Sequence, residues 1–455
     1  MGAVILVLGL PALCWLAYKK PLLATVVLSF VAFSGDSIGI VTFIERNGGR
    51  DFALSTRLPI LIAAASAWRH LFQQVSRGRL PRHLLWLANI AILGASWSAL
   101  GTLLKGAPIS TAFVIAINTG LLFAVVGLAY AAEAGTRRLL GIAVALHILL
   151  AISVSVGHNT FLGEFGGWHY YELRDFTMFS RNAVEDLGGL DRSQRAQGHF
   201  NNTHGFAVYS AFGIAMGIIL LTTIINRKGI STWLAGTFMC LIGISGLFLT
   251  LGRSELLGVV MGVVWAAYLL IFDKTAVSSR AIIRVAFFIM LLSIMYMTLW
   301  TSGGQLLSAA FVGDVGESTA VRMEVLSLGE RAIMKYPILG VPNDFVWLGS
   351  NSNIYPHSLP MYYSALYGLP VGVAAIILLS ALFWGPFYAR RFLKREYRKE
   401  IARAGMFAGI ILSVTNSNNC PAPILLWWAW ALVVFPYEDM RRHLSTQKTT
   451  RAILI

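Results

Sequence analysis

Apolar residues run for roughly 14 to 26 positions at a time between short polar stretches, and the pattern recurs from Gly2 almost to Pro436. About 20 residues of helix cross the ~30 Å hydrocarbon layer of a bilayer, so each run has the length of a membrane span. The predicted spans are Gly2 to Tyr18, Pro21 to Phe43, Arg57 to His70, Leu84 to Leu104, Ala112 to Ala132, Leu139 to Val156, Phe200 to Ile225, Thr232 to Leu251, Leu256 to Phe272 and Ile282 to Trp300. Ser358 to Tyr388, Ile401 to Val414 and Ile424 to Phe435 complete the set. The expected fold is an all-α integral membrane protein of about 12–13 transmembrane helices.

Composition agrees: 56% of residues are hydrophobic and 13% charged, a balance no water-soluble chain of this length would show. A net charge of +15 raises nucleic acid as a partner. The placement of the charges argues against it, because they gather in short loops, as at Arg77, Arg79 and Arg82, at Arg137 and Arg138, at Arg227 and Lys228, and from Arg390 to Lys399. That is the signature of cytoplasmic loops. With the Arg390 to Lys399 loop inside, alternating the spans backwards puts every basic loop inside and the N-terminus outside. Both long polar loops and the turn at Gly252 to Glu255 then fall on the outer face.

Five regions follow: N-terminal transmembrane helices over 1–156, a first long outer loop over 157–199, central helices over 200–300, a second long outer loop over 301–357, and C-terminal helices with a cytoplasmic tail over 358–455. The first loop, with Trp168, Tyr170, Tyr171, Glu172, Arg174 and Asp175, has the mixed composition of a packed cap. Cys14, Cys240 and Cys420 are too scattered for a disulfide framework or a metal knuckle and read as packing residues. The first apolar run has no basic leader and no small-residue cleavage site, so it is expected to be a retained span. No solenoid-length or inverted repeat is visible.

Four outer-face clusters hold the candidate chemistry. Arg192, Arg195, Gly198, His199 and His204 run from the first long loop into a span, with Arg195 about one turn outside the membrane, where it can meet an anion or a lipid phosphate. Arg253 sits in a tight outer turn where positive-inside bias disfavours arginine, with Glu255 as a possible ion-pair partner. Arg322, Glu324 and Arg331 fall in a stretch whose apolar residues, Val321, Val325, Leu328 and Ile333, space as a surface-lying amphipathic helix ended by Pro337 and Gly340. Tyr355 and His357 stand at the entry of the next span; a histidine there suits a general base, although interfacial histidines are common.

Taken in this order, the clusters resemble the O-antigen ligase and polysaccharide polymerase superfamily, mainly over Arg192 to Phe383. The resemblance is carried by Arg195 with Gly198, by Arg253, by Thr319-Ala-Val-Arg322, by Pro337-Ile-Leu-Gly340, and by His357 before Gly368-Leu-Pro-Val-Gly372. The chain departs from the family pattern at Thr203-His204, at His357-Ser358 and in the spacing of the last two glycines. The resemblance implies a membrane glycosyltransferase of the broad C type in the bacterial inner membrane, with its site facing the periplasm or cell exterior. It would work without a metal or other cofactor, transferring a glycan from undecaprenyl pyrophosphate to an acceptor hydroxyl on a glycan or lipid, as ligase or polymerase. Arg195, Arg253 and His357 would be catalytic, with Arg192, Glu255, Arg322 and Tyr355 binding substrate.

The expected partners are the lipid-linked donor, the acceptor, membrane lipids and other polysaccharide-assembly proteins, with no nucleic acid. One local challenge to metal independence is His169, Glu172 and Asp175, spaced three apart. Two other classes stay open: a flippase or transporter of lipid-linked glycan, for which Asp36 and His147 are intramembrane candidates, and a non-catalytic assembly scaffold.

Overall fold

A computed structural model describes residues 2–31, 50–131, 133–156, 203–223, 230–250, most of 255–266, 326–342, 358–390 and 411. Every regular element among them is an α-helix. In chain order these are α1 (Gly2–Lys19), α2 (Pro21–Val31), α3 (Arg50–Ser76), α4 (Arg82–Leu104), α5 (Ile109–Asn118), α6 (Leu121–Tyr130), α7 (Ala134–Val156), α8 (Thr203–Thr223), α9 (Ile230–Thr250), α10 (326–335), α11 (Leu359–Tyr367) and α12 (Leu369–Arg390). Glu255 and the described positions up to Ala266 are helical as well.

Two of these helices, α4 and the stretch Ser231–Thr250 of α9, are long and apolar enough to cross a membrane, and α5 with α6 makes a third if the bent pair is one span. This is a helical membrane protein. Its outer surface agrees, since Leu93 and Leu104 on α4 and Leu234 and Leu241 on α9 are exposed, as lipid-facing side chains are.

Small residues set the packing. Helices α8 and α9 lie together through glycines: a Cβ on Gly217 would meet the Gly236 carbonyl at 2.7 Å, and one on Gly243 would meet the Ser210 carbonyl at 2.7 Å. Close backbone approach of this kind is how helices associate where burial from water gives no drive. Cys240 packs buried in the same seam, its thiol 3.9 Å from the Ile214 carbonyl. Helix α7 lies against both, α2 bridges it to the group formed by α3, α4, α5 and α6, and α12 packs along α4. At the bridge, the buried His147 of α7 stacks on Phe30 at 3.7 Å, with its Nε2 3.1 Å from the Ser29 hydroxyl and the Tyr209 ring at 4.6 Å.

Two runs expected to be single spans are broken. The run Ala112 to Ala132 divides into α5 and α6, bent by 49° about Thr119 and Gly120, where Gly120 takes φ +73°. The run Ser358 to Tyr388 divides at Gly368, φ +93°, into α11 and α12. Both conformations suit glycine because a Cβ is disfavoured at positive φ. The spans expected at Ile282 to Trp300 and Ile424 to Phe435 lie outside the described residues.

Candidate functional site

The two halves of the broken C-terminal run meet the turn that carries Pro337 and Gly340. Helix α10 is amphipathic, as its spacing predicts: Leu328 and Ala332 are buried, while Glu330, Arg331 and Lys335 are exposed. Its buried face packs on Ala365 and Leu366 of α11. After it the chain turns, the Gly340 N–H bonding the Tyr336 carbonyl at 3.1 Å, and then pairs with the α11–α12 break. The Val341 N–H donates to the Ala365 carbonyl at 2.9 Å, and the Leu369 N–H to the Pro337 carbonyl at 2.8 Å.

This joint admits no side chain at its two glycines. A Cβ on Gly340 (φ +74°) would press into the Leu366 carbonyl, and one on Gly368 into the Ile338 carbonyl. The Pro337-x-x-Gly340 and Gly368 elements thus become one structural unit. A third, Gly372, packs at Ser364, whose hydroxyl donates to the Pro360 carbonyl at 2.8 Å.

Helix α4 holds the unit from one side. The Trp97 indole donates to the Ile338 carbonyl at 3.0 Å, and the Lys105 ammonium to the Leu366 carbonyl at 3.1 Å. Lys105 follows the last residue of α4, and burial pulls its pKa down to about 8. A second tie is made by Tyr363, fully buried on α11, whose hydroxyl donates to the Thr119 carbonyl at the break between α5 and α6. Helix α11 therefore meets the α5–α6 pair where that pair is interrupted, and Tyr363 donates to a carbonyl at the break in a buried surround.

Of the sequence-predicted site residues, Glu255 is described. It is helical and fully buried, and it takes part in an interaction rather than standing alone. A carboxylate at that burial is retained only where it is paired, hydrogen-bonded or neutral. Arg192, Arg195, Arg253, Arg322, Tyr355 and His357 lie outside the described residues, as do His169, Glu172, Asp175 and Asp36. Thr203 and His204 belong to the first described turn of α8. Ser358, next to His357, is the N-cap of α11 in extended conformation, with the Tyr362 N–H on its carbonyl at 2.8 Å and Pro360 in the first turn.

Sequence reasoning missed Lys105 and Trp97, and it placed Tyr363 in the cluster that follows His357 without giving it a role. A signal existed for Lys105: the alternating spans put it on the same expected outer face as Arg253, against the same charge bias. No local pattern marks Trp97 or Tyr363, whose partners are 241 and 244 positions away. No protein-family model, curated protein or solved structure matches the chain.

Proposed function

We propose that this chain is a glycosyltransferase of the O-antigen ligase and polysaccharide polymerase type, with 12–13 spans in the bacterial inner membrane and its site on the outer face. The observation that carries the reading is the ordered set Arg195, Arg253, Arg322, Pro337-x-x-Gly340, His357 and Gly368 on one expected side of the membrane. The joint between Gly340 and Gly368 supports it, because two elements recognised separately in sequence turn out to be packed together directly after the His357 position.

The chemistry assigned to these residues is balanced within donor and acceptor. The acceptor oxygen attacks the anomeric carbon, the bond from that carbon to the pyrophosphate oxygen breaks, and the hydroxyl proton passes to His357. The carrier pyrophosphate leaves with its negative charge held by Arg195 and Arg253, and Arg322 orients donor or acceptor. Guanidinium groups suit the task because they stay charged and bind phosphate oxygens in pairs.

A transport reading has one observation in its favour, since broken helices inside a membrane protein are a feature of transporters. Here, however, Tyr363 already engages the Thr119 carbonyl, and the intramembrane His147 is stacked and hydrogen-bonded within the core. Both read as packing rather than as groups lining a polar path.

The test is glycan assembly in cells lacking the protein, complemented by wild type or by Arg253→Ala, Arg195→Ala or His357→Ala at matched membrane levels. Each arginine variant is expected to lose about 10²-fold in turnover, or about 3 kcal/mol of transition-state stabilisation. Accumulated single repeat units on the carrier indicate a polymerase, and accumulated long carrier-linked chains a ligase. Full rescue by all three variants overturns the catalytic reading.

A further inference from the structure

At the other end of α4 a groove of about 340 Å³ lies between it and α3. Phe72, Val75 and Ser76 of α3 form one wall, and Arg82, Leu85 and Trp86 of α4 the other. Asn89 lines its deeper part, fixed by the Trp68 indole donating to its carbonyl oxygen at 2.8 Å. The lining is thus mixed: Phe72, Val75, Leu85 and Trp86 supply an apolar part beside the Ser76 hydroxyl, the Arg82 guanidinium and the Asn89 amide.

We infer that this groove holds one acyl chain of an anionic glycerophospholipid whose phosphodiester sits on Arg82. Three observations argue for that occupant. Phe72 and Trp86 are exposed, at 47% and 68%, on helices of a membrane protein, so the groove opens toward lipid. Arg77, Arg79 and Arg82 are all exposed around the mouth, and the sequence has no Asp or Glu between Asp51 and Glu133 to balance them. Glu133 itself lies 3.4 Å from His70 Nε2. This end of the hairpin therefore carries a net positive charge that no carboxylate of the α3–α4 turn balances.

Geometry supplies the rest. Arg82 is the first residue of α4, so its positive charge stands beside the N–H groups of a helix start, and both favour an anion. Trp86, one turn further along α4, exposes an amphipathic ring of the kind that favours the boundary between headgroup and acyl chain. A volume near 340 Å³ is at the small end of ligand sites, matching part of a single chain rather than a whole lipid.

The experiment uses the full chain purified in neutral detergent and titrated with phosphatidylglycerol, phosphatidylcholine or inorganic phosphate, with bound lipid counted by native mass spectrometry and Tm followed in parallel. Phosphatidylglycerol is expected to bind, at about one per chain, in preference to phosphatidylcholine. Arg82→Gln and, separately, Trp86→Ala should weaken it about tenfold, the loss of one charge-assisted contact or of one aromatic contact with the acyl chain. Arg138→Gln, an exposed arginine on another helix, should change it less than twofold. Equal losses for Arg82→Gln and Arg138→Gln would reduce the effect to diffuse surface charge and overturn the site. Inorganic phosphate displacing the lipid as well as phosphatidylglycerol does, or Trp86→Ala binding as wild type, would overturn the acyl-chain part. Both substituted side chains are exposed, and the parallel Tm identifies any variant that fails to fold.

Discussion

The two ends of α4 are finished in opposite ways. At the Lys105 end, Trp97 and Lys105 reach across to carbonyls of two other segments, and the helix is built into a joint of backbone hydrogen bonds and glycines. At the Arg82 end, α3 and α4 flank a groove with exposed arginines at its rim. The difference lies in what each end can tolerate. A joint made of carbonyls against glycine Cα atoms has no slack, because any added atom meets backbone, whereas a groove made of side chains can be reshaped one residue at a time.

The sharpest test of that contrast is Gly368→Ala. The residue sits at φ +93°, and the new Cβ would press into the Ile338 carbonyl, so strain and clash act together. Positive φ alone costs roughly 1–3 kcal/mol, and the clash should bring the total to about 3 kcal/mol or more. Thermal unfolding in detergent, with protease sensitivity near Pro337 as a second readout, should show the joint failing. Gly106→Ala is the control, since Gly106 has φ +82° but nothing within 4 Å of a built Cβ. It should lose only about 1 kcal/mol, the conformational part by itself. Equal losses at both positions would mean that close contact adds nothing and that the joint is no tighter than an ordinary turn.

The same contrast explains what was legible in the sequence. Long apolar runs gave helix positions closely: Leu84 to Leu104 is expected and α4 spans Arg82–Leu104, and Thr232 to Leu251 becomes Ile230–Thr250. The breaks at Gly120 and Gly368 were not legible, because a glycine within an apolar run looks the same whether it packs against a helix or interrupts one. Gly213 and Gly217 lie inside the unbroken α8, while Gly120 and Gly368 take positive φ. The distinction resides in partners distant in sequence, the Tyr363 hydroxyl at Thr119 and the Ile338 carbonyl against Gly368. Likewise each motif of the candidate site was readable alone, but the contact between Pro337–Gly340 and Gly368 was not. The full burial of Glu255 was equally hidden, since its place beside Arg253 in a short turn says nothing of what packs over it.

Tyr363→Phe removes one atom and addresses the meeting of α11 with the break between α5 and α6. The Thr119 carbonyl would lose its hydroxyl partner in a fully buried setting, a loss of about 1–3 kcal/mol for an unsatisfied acceptor. The expected readout is a lower Tm with the ring still packed. Restoring a compensating donor is harder than deleting the acceptor's need for one, so Thr119→Ser, which keeps the backbone carbonyl, should leave the Tyr363→Phe penalty unchanged in a double-variant cycle. A penalty below a few tenths of a kcal/mol would show that the carbonyl finds another donor and that α11 and the break are not coupled through this bond.

The smallest effect belongs to Lys105, and its sign is fixed by burial. With its pKa lowered to about 8 from 10.5, folded Lys105 gives up its proton across a range where the unfolded chain still holds it. Within that window the unfolded state binds more protons, so this residue's contribution to stability rises with pH, while below about 8 both states are charged and the burial penalty is present in full. Lys105→Met should flatten that rise. Because the ammonium is only partly buried and still reaches the Leu366 carbonyl, the change is expected to be a modest divergence between the two Tm profiles from pH 8 upward, not a shift of the whole curve. Parallel profiles for wild type and variant would mean that Lys105 is as well solvated as a surface lysine, and that this end of α4 is held by Trp97 and the glycine joint without it.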